Sequence, residues 1–278
     1  MGGPMAGHLL KSGKPVHVWN RTAEKAAPLV AQGCIQADSL EELATNCSTV
    51  FLCVNRTEDV QSCLDSLVPA SLSNALFIDH STISPEGAKQ IHGDLKTKGK
   101  RFIDAPVTGG SMGAIKGQLT IFCGGEEADI EEAIPLLNCF AKKVARVGGP
   151  GAGQMAKMAN QIAVGGALLA LCESLSFAKK AGLDVAQIRE LVGSGAGGSW
   201  AFEFYGPKIL DQDWSPGFSV KNQRKDFGYC LQAAEEIDAS LPGTQLVDQL
   251  LSLLEEEGHG EWTTAALYEI MLRMGAKG

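Results

Sequence analysis

Short apolar runs alternate with helical stretches through the first 147 residues of the chain. Each run is bounded by polar residues, and together the runs cover positions 16–19, 50–54, 75–78, 101–103 and 119–123. Continuous apolar strands joined by helices are typical of a parallel sheet that is covered on both faces. The pattern therefore predicts a doubly wound parallel α/β sheet, and we place this domain at residues 1–150.

The pattern changes after Gly153, where helical periodicity continues almost without interruption and no convincing strand follows. Residues 154–181 are apolar on nearly every face, which is typical of an internal helix packed by its neighbours or by a second subunit. The sequence therefore predicts an all-α domain at residues 151–278. A long helix enters this domain, and the boundary lies at VGGPGAG.

The N-terminal segment has the pattern of the second half of a βαβ unit. A helix at about residues 4–12 leads into a strand that ends in Asn20, Arg21 and Thr22. The strand and the first glycines of a G-x-G-x-x-G turn are expected before such a helix and are absent. Gly2 would be the third glycine, which allows close packing of helix and strand. We therefore expect a truncated domain that lacks its central strand and binds its cofactor weakly.

Charge and cysteine spacing exclude several classes of protein. The 24 basic and 32 acidic residues give a net charge of −8, which leaves no electrostatic footprint for nucleic acid. The eight cysteines form no CxxC pair and no metal-type spacing, which indicates structural thiols in a reducing compartment. The longest apolar run, residues 162–172, is too short to cross a bilayer. We expect a cytoplasmic protein without a membrane or metal; a mitochondrial location stays open because the N-terminus looks incomplete.

Glycine is over-represented, with 33 residues that cluster at 109–117, 148–153 and 193–198. Such clusters suggest backbone that closely approaches a ligand. In the first cluster, Thr108, Gly109 and Gly110 follow a strand and offer a hydroxyl and backbone N–H groups to a small carboxylate. A turn that serves only geometry is the alternative.

Other candidate chemistry follows the second strand of the expected unit. An NAD site prefers Asp or Glu at this position, whereas Arg21 could pair with the 2′-phosphate of NADP. NADP is therefore the favoured cofactor. NAD stays open because Asn20 could serve a hydroxyl, and an exposed turn without any ligand is the further alternative.

Charged side chains in the helical part form two more candidates. Lys157 and Asn160 lie on one face of the long helix, and a lysine among apolar residues is costly to bury without a partner. Its alternative is a side chain that extends to solvent near the helix start. Lys225 and Asp226 lie together near the C-terminus, where the start of a surface helix is the alternative.

Four ordered motifs give the chain a specific likeness. DHSTISP (79–85), DAPVTGGSMGAIKGQLTI (104–121), GAGQMAKMANQ (151–161) and GFSVKNQRKD (217–226) resemble the β-hydroxyacid dehydrogenase family. The resemblance covers nearly the whole chain. It implies a Rossmann-type domain, an all-helical second domain, and NAD(P)-dependent interconversion of a β-hydroxyacid and its semialdehyde.

The resemblance also assigns roles to individual residues. Lys157 matches the catalytic lysine, and Asn160 matches the asparagine that follows it. The substrate-binding positions are Thr108, Gly109, Gly110 and Lys225. The cofactor-binding positions are Gly2, Asn20, Arg21, Thr22, Val54, Asn55, Ser81, Thr82, Phe218, Lys225 and Asp226. In the implied reduction, Lys157 donates a proton as an ammonium. In the reverse direction it acts as a base, for which burial and neighbouring cations such as Lys225 would have to lower its pKa.

The chain departs from the family pattern at three places. Thr108 stands where serine is usual, so an added methyl could change substrate size or rate. Gln161 stands where many members have asparagine. Glutamine occurs there in sequences that resemble tartronate semialdehyde reductases, which slightly favours a substrate of that group. The third departure is the absent first strand with its glycines.

Other classes of function stay open beside a dehydrogenase that assembles as a homo-oligomer. One is a regulatory or interaction protein that has lost its phosphate loop. Another is an NADP-dependent imine reductase, against which Lys157 argues, because imine-reducing relatives typically carry a different residue there.

Overall fold

The computed structural model describes residues 1–274, which divide into two compact units, Met1–Lys157 and the described residues from Met158 onward. The strands of the first unit are β1 (His17–Val18), β2 (Ile35–Gln36), β3 (Thr49–Leu52), β4 (Leu76–Asp79), β5 (Arg101–Asp104), β6 (Val107–Thr108), β7 (Leu119–Gly124) and β8 (Ala141–Gly148). Its helices are α1 (Gly2–Lys11), α2 (Ala27–Val30), α3 (Leu40–Asn46), α4 (Thr57–Ala70), α5 (Pro85–Thr97), α6 (Gly110–Lys116) and α7 (Glu127–Leu137).

Local sequence signals set the ends of several of these helices. The side chain of Ser39 accepts a hydrogen bond from the backbone at the start of α3, and Ser84 does the same for α5, with Pro85 as its first residue. Both serines satisfy N–H groups that have no partner inside the helix. At the other end of α6, Gly117 adopts φ 65°, the left-handed conformation that stops a helix and favours glycine.

The strands of the first unit form two sheets. β1 and β2 are parallel and, within residues 1–274, pair only with each other. The larger sheet begins with the parallel strands β3, β4 and β5. β7 then pairs antiparallel with the end of β5 and with β6, and parallel with β8.

Helices cover both faces of the larger sheet. On one face, Phe77 and Phe102 pack with Leu64 of α4 and Ile91 of α5. On the other face, residues of β4, β5 and β7 pack with α1, α6 and α7; the fully buried ones include Leu76, Ile78, Ile103, Ile121, Ala114, Ala133 and Leu137. The sequence prediction of a doubly wound α/β domain is confirmed.

Two details of the predicted sheet were wrong. The sheet is mixed rather than fully parallel, because the chain returns through β6 and the short α6 so that β7 pairs antiparallel with β6 and with the end of β5. The sequence also gave no sign of β8. This strand lies beside β7 alone and is half exposed, with Lys142 and Lys143 in solvent, so it lacks the apolar run that marks the buried strands.

The described part of the second unit is helical. Its helices are the continuation of α8 (Ala152–Lys180), then α9 (Val185–Ser194), α10 (Trp200–Asp211), α11 (Val220–Glu236), α12 (Pro242–Glu256) and α13 (Leu267–Arg273). α8 and α11 approach closely at Gly165, where a Cβ atom would lie 2.5 Å from the ring of Phe227. The predicted all-α part entered by a long helix is confirmed.

α8 is the one described helix that is long and apolar enough to cross a membrane by length and composition alone. The same test is met by core helices of globular proteins. Leu168, Leu171 and Leu175 of α8 are fully buried in the protein, which is the packing of a core helix. On its exposed side the helix presents Ala159 and Ala163, and Phe177 is 73% exposed.

Candidate active site

The carboxyl ends of β3 and β4 are joined by Ser81. Its hydroxyl accepts a hydrogen bond of 2.9 Å from the backbone N–H of Val54, and its own N–H donates to Oδ1 of Asp79 at 2.9 Å. These bonds bring together two of the predicted cofactor segments, Val54 with Asn55 and Ser81 with Thr82. Asn55 is exposed and Thr82 is half-buried, so both segments reach solvent.

His80 lies beneath this strand end in a closed apolar setting. Its ring stacks on Phe51, and its Nδ1–H donates to the carbonyl oxygen of Ala105 at 2.6 Å. Burial lowers the pKa of His80 to about 4, against the opposing effect of that hydrogen bond. The imidazole is therefore neutral near pH 7 and holds β4 to the segment after β5.

The predicted cofactor residues that follow β1 are exposed. Asn20 donates from Nδ2 to the carbonyl oxygen of Thr22 at 2.8 Å, which fixes a tight turn. Arg21 lies on this turn, and none of the described carboxylates is within ion-pair distance of its guanidinium. The turn thus presents an unneutralised cation at the end of a parallel strand.

Gly2 is the first residue of α1, and the first turn of α1 contains no acidic residue. A Cβ atom at Gly2 would lie 3.4 Å from Cβ of Cys53, an ordinary van der Waals contact. The expectation that Gly2 is needed for close helix–strand packing was therefore wrong. An alanine would fit at this position.

The predicted substrate loop begins where β6 ends at Thr108. Gly109 has φ 123° and Gly110 has φ 64°, conformations that favour glycine at both positions. Both glycines are exposed and Thr108 is half-buried. The bend therefore offers backbone N–H groups and one hydroxyl on an open surface of the first unit.

Lys157 is buried beside this bend, with only 8% of the residue exposed. Its ammonium donates to the carbonyl oxygen of Val107, the residue before Thr108, at 2.9 Å. The alternative of a lysine that extends to solvent is wrong. A buried charged amine held next to two glycines with positive φ is an arrangement suited to an anionic or carbonyl ligand.

The start of α8 is fixed by two residues that the sequence analysis did not single out. The carboxylate of Asp104 accepts hydrogen bonds from the backbone of Gly151 and Gln154 at 2.8 and 2.9 Å. The side chain of Gln154 donates to the carbonyl of Ser81 and accepts from the backbone of Ile83. In the sequence, the one indication that Asp104 and Gln154 matter is that they lie inside the motifs DAPVTGG and GAGQ.

In the second unit, four polar side chains form one continuous chain of contacts. Asn160 donates from Nδ2 to Oε1 of Gln161 at 2.8 Å, and Gln161 donates from Nε2 to Oδ2 of Asp226 at 2.7 Å. The ammonium of Lys225 lies 3.1 Å from Oδ1 of Asp226 and 5.5 Å from the ring centre of Tyr229. The structure thus connects the predicted residues Asn160, Lys225 and Asp226 through Gln161.

The remaining predicted residue, Phe218, lies just before α11. It is half-buried, and its carbonyl oxygen accepts a hydrogen bond of 3.1 Å from the backbone of Thr264. This bond, with an antiparallel bridge between Ser219 and Thr263, ties the start of α11 to the segment before α13.

Two family models match the chain. Residues 1–149 match the NAD binding domain of 6-phosphogluconate dehydrogenase, and residues 151–271 match the NAD-binding domain of NADP-dependent 3-hydroxyisobutyrate dehydrogenase. The first match alone covers more than half of the chain.

Individual relatives agree with these models. The chain is 39% identical to a probable mitochondrial 3-hydroxyisobutyrate dehydrogenase-like protein of Arabidopsis thaliana over 99% of this chain and 83% of that protein. It is 32% identical to 2-hydroxy-3-oxopropionate reductase of Escherichia coli over 98% and 94% of the two chains. The solved structure of Mycobacterium tuberculosis 3-hydroxyisobutyrate dehydrogenase with L-serine superposes with a TM-score of 0.88 at 28% identity, covering 98% and 96%.

Proposed function

Because the chain belongs to the β-hydroxyacid dehydrogenase family and is thus an NAD(P)-dependent hydroxyacid oxidoreductase, we propose that it interconverts a small β-hydroxyacid and its semialdehyde with NADP, using Lys157 as acid and base. The observation that carries this proposal is the buried ammonium of Lys157, 2.9 Å from the carbonyl oxygen that precedes Thr108. A charged amine in that position can protonate an oxygen atom of a substrate held by the Thr108–Gly110 bend.

The role of Lys157 follows from the charge that develops during reduction. The nicotinamide cofactor, when bound, supplies or accepts the hydride at the reacting carbon. In reduction, the aldehyde oxygen gains negative charge as the carbon gains hydride, and the Lys157 ammonium donates first a hydrogen bond and then its proton. In oxidation, the neutral amine accepts the hydroxyl proton. Asn160, one turn further along α8, is proposed to orient the lysine or the hydroxyl.

The Thr108–Gly110 bend is proposed to bind the substrate carboxylate. Its glycines leave the backbone N–H groups uncovered, and the Thr108 hydroxyl adds a further donor. Anchoring the carboxylate would place the β-carbon, which carries the reacting oxygen, beside Lys157, and holding the reacting groups in the correct geometry lowers the barrier to reaction. Lys225 is proposed as a further substrate-binding residue, as the family resemblance implies.

The residues at the strand ends fit a dinucleotide. The turn after β1 and the first turn of α1 carry no carboxylate that would repel phosphate, and Arg21 has no partner in the described chain. NADP is favoured over NAD because a guanidinium pairs with a phosphate in a bidentate geometry. The proposed cofactor residues are Gly2, Asn20, Arg21, Thr22, Val54, Asn55, Ser81, Thr82, Phe218, Lys225 and Asp226. We also propose that the chain assembles as a homo-oligomer.

Replacing Arg21 with alanine tests the choice of cofactor. A hydrogen-bonded ion pair contributes about 1.5–3 kcal/mol, so the variant should bind NADPH about 10- to 10²-fold more weakly and leave NADH binding unchanged. Titration of both cofactors by fluorescence measures the two affinities. Lys14→Ala, at an exposed lysine before β1, is the matched control for lost charge. An equal loss for NADH and NADPH would contradict recognition of the 2′-phosphate.

An assay of the purified chain tests the reaction class. With NADPH present, we expect reduction of 2-hydroxy-3-oxopropionate and, with NADP, oxidation of 3-hydroxyisobutyrate, each followed by nicotinamide absorbance. A cyclic imine serves as the control substrate and should not be reduced. Turnover of the imine alone would support the imine reductase alternative. Binding of NADPH without turnover of any substrate would support a regulatory protein.

A further inference from the structure

Asp104, the last residue of β5, sits at the N-terminus of the long helix. Its carboxylate is 1% exposed and accepts the N–H of Gly151 on Oδ1 and the N–H of Gln154 on Oδ2. The first N–H groups of a helix have no partner inside it and attract negative charge. A carboxylate from 47 residues earlier in the chain thus caps α8, where a local serine or aspartate usually does so.

The cap fits only because glycines surround it. A Cβ atom on Gly124 would lie 2.5 Å from Oδ1 of Asp104, and one on Gly153 would lie 2.5 Å from its carbonyl oxygen. Real Cβ atoms do not approach so closely, so the backbone closes directly on the carboxylate. The sequence predicted that the glycines at 148–153 bring the backbone close to a ligand. At Gly153 the group that the backbone approaches is instead Asp104 of the protein itself.

The same segment of chain also holds Lys157. Asp104 fixes Gln154, which lies one helical turn before Lys157 on α8. Three residues after Asp104, Val107 accepts the hydrogen bond from the Lys157 ammonium. Two contacts therefore fix the position of Lys157 relative to the Thr108 bend: the bond from Asp104 to the helix backbone at Gln154, and the bond from the Lys157 amine to Val107.

We propose that Asp104 is a positioning residue for Lys157, which fixes the first turn of α8 so that the ammonium stays beside the Thr108–Gly110 bend. The inference rests on the proposed acid and base role of Lys157. Asp104 is 1% exposed and its carboxylate bonds to the backbone of Gly151 and Gln154, so it acts through the helix and not by direct contact with a reacting group.

Burial raises the pKa of Asp104 to about 6, against the backbone hydrogen bonds that lower it. The titratable groups that face it are Asp79, its neighbour on β4, and Cys123 on β7, while the Lys89 stem of α5 packs on Gly151. Because the folded pKa lies above the ordinary 3.8, the contribution of this carboxyl to stability is complete at low pH and is lost as the pH rises through about 6. At pH 7, where the Asp104 carboxyl is ionised, it therefore contributes little to the stability of the fold, so stability does not account for an ionised carboxylate at this position.

Asp104→Asn tests the proposal, because the amide keeps the shape and one acceptor but replaces the other with a donor. We expect kcat for 2-hydroxy-3-oxopropionate to fall about 10- to 10²-fold, as expected for a displaced catalytic group, with the affinity for NADPH unchanged. We expect parental activity to fall as the pH drops below about 6, where the Asp104 carboxyl becomes protonated, and this fall should be absent from the variant. Asp94→Asn, at an exposed position on α5, is the matched control and should behave as the parent.

Combination with Lys157→Met separates a positioning role from a general structural one. In the Lys157→Met background, Asp104→Asn should cause no further loss, because the group that it positions is gone. The same fold loss in both backgrounds would overturn the positioning role and leave the proposed function intact. Parental turnover by Lys157→Met alone would overturn both.

Hydrogen exchange on the parental chain tests the proposed cap without any substitution. We expect the amides of Gly151 and Gln154 to be strongly protected from hydrogen exchange at pH 7, where each donates to an oxygen of the Asp104 carboxylate. Exchange of these two amides as fast as that of the exposed Gly149 would show that the carboxylate does not hold the helix start, and would overturn the proposal.

Discussion

Lys157→Met is expected to lower kcat by about 10²- to 10⁴-fold, the usual contribution of a positioned acid or base. Methionine fills the space of the lysine stem, so the apolar packing of α8 is preserved while the ammonium beside Val107 is lost. The affinity for NADPH should not change, because the proposed cofactor residues lie elsewhere. Steady-state turnover and fluorescence titration of NADPH measure the two quantities on one preparation.

The matched control is Lys179→Met, an exposed lysine near the other end of the same helix. It removes the same charge from the same element and should turn over at the parental rate. Loss of NADPH binding in Lys157→Met, in proportion to its lost turnover, would contradict a role in the chemical step and indicate a role in the fold of the site.

Gly153→Ala is expected to lower the free energy of unfolding by about 1–3 kcal/mol, the usual cost of overpacking. A Cβ atom there would lie 2.5 Å from the carbonyl oxygen of Asp104 and 2.6 Å from that of Phe122, and both contacts are to backbone. Alanine favours a helix over glycine by about 1 kcal/mol, which the clash should outweigh. Chemical denaturation followed by circular dichroism measures the difference.

Gly149→Ala provides the comparison within the same glycine cluster. A Cβ atom at Gly149 would have no other atom within 4 Å, so this variant should be as stable as the parent. If Gly153→Ala were as stable as Gly149→Ala, the tight closure of the backbone around Asp104 would be wrong.

The sequence predicted the elements whose signal is local. The buried strands β3, β4 and β7 are marked by apolar runs, because both of their faces are covered by helices. β8 could not be found in this way, since an edge strand with lysines in solvent has no such run. The antiparallel direction of β7 depends on its pairing with β6 and with the end of β5, which hydrophobic periodicity does not report.

The candidate site shows the same division. Lys157 and the Thr108 bend stand out in the sequence because a lysine on an apolar helix and paired glycines after a strand are unusual locally. The cap from Asp104 to Gln154 spans 50 residues and the bond from Gln161 to Asp226 spans 65, so neither follows from spacing along the chain. Such bonds depend on how the elements pack.

Single-turnover reduction of 2-hydroxy-3-oxopropionate by Lys157→Ala with bound NADPH, with and without added ethylamine, is the most direct test of Lys157 as the proton donor. We predict that the rate of the variant falls by at least about 10²-fold and rises with the concentration of ethylammonium, which can enter the space left by the side chain. A single-turnover rate equal to that of the parental chain, without any added amine, would contradict the account.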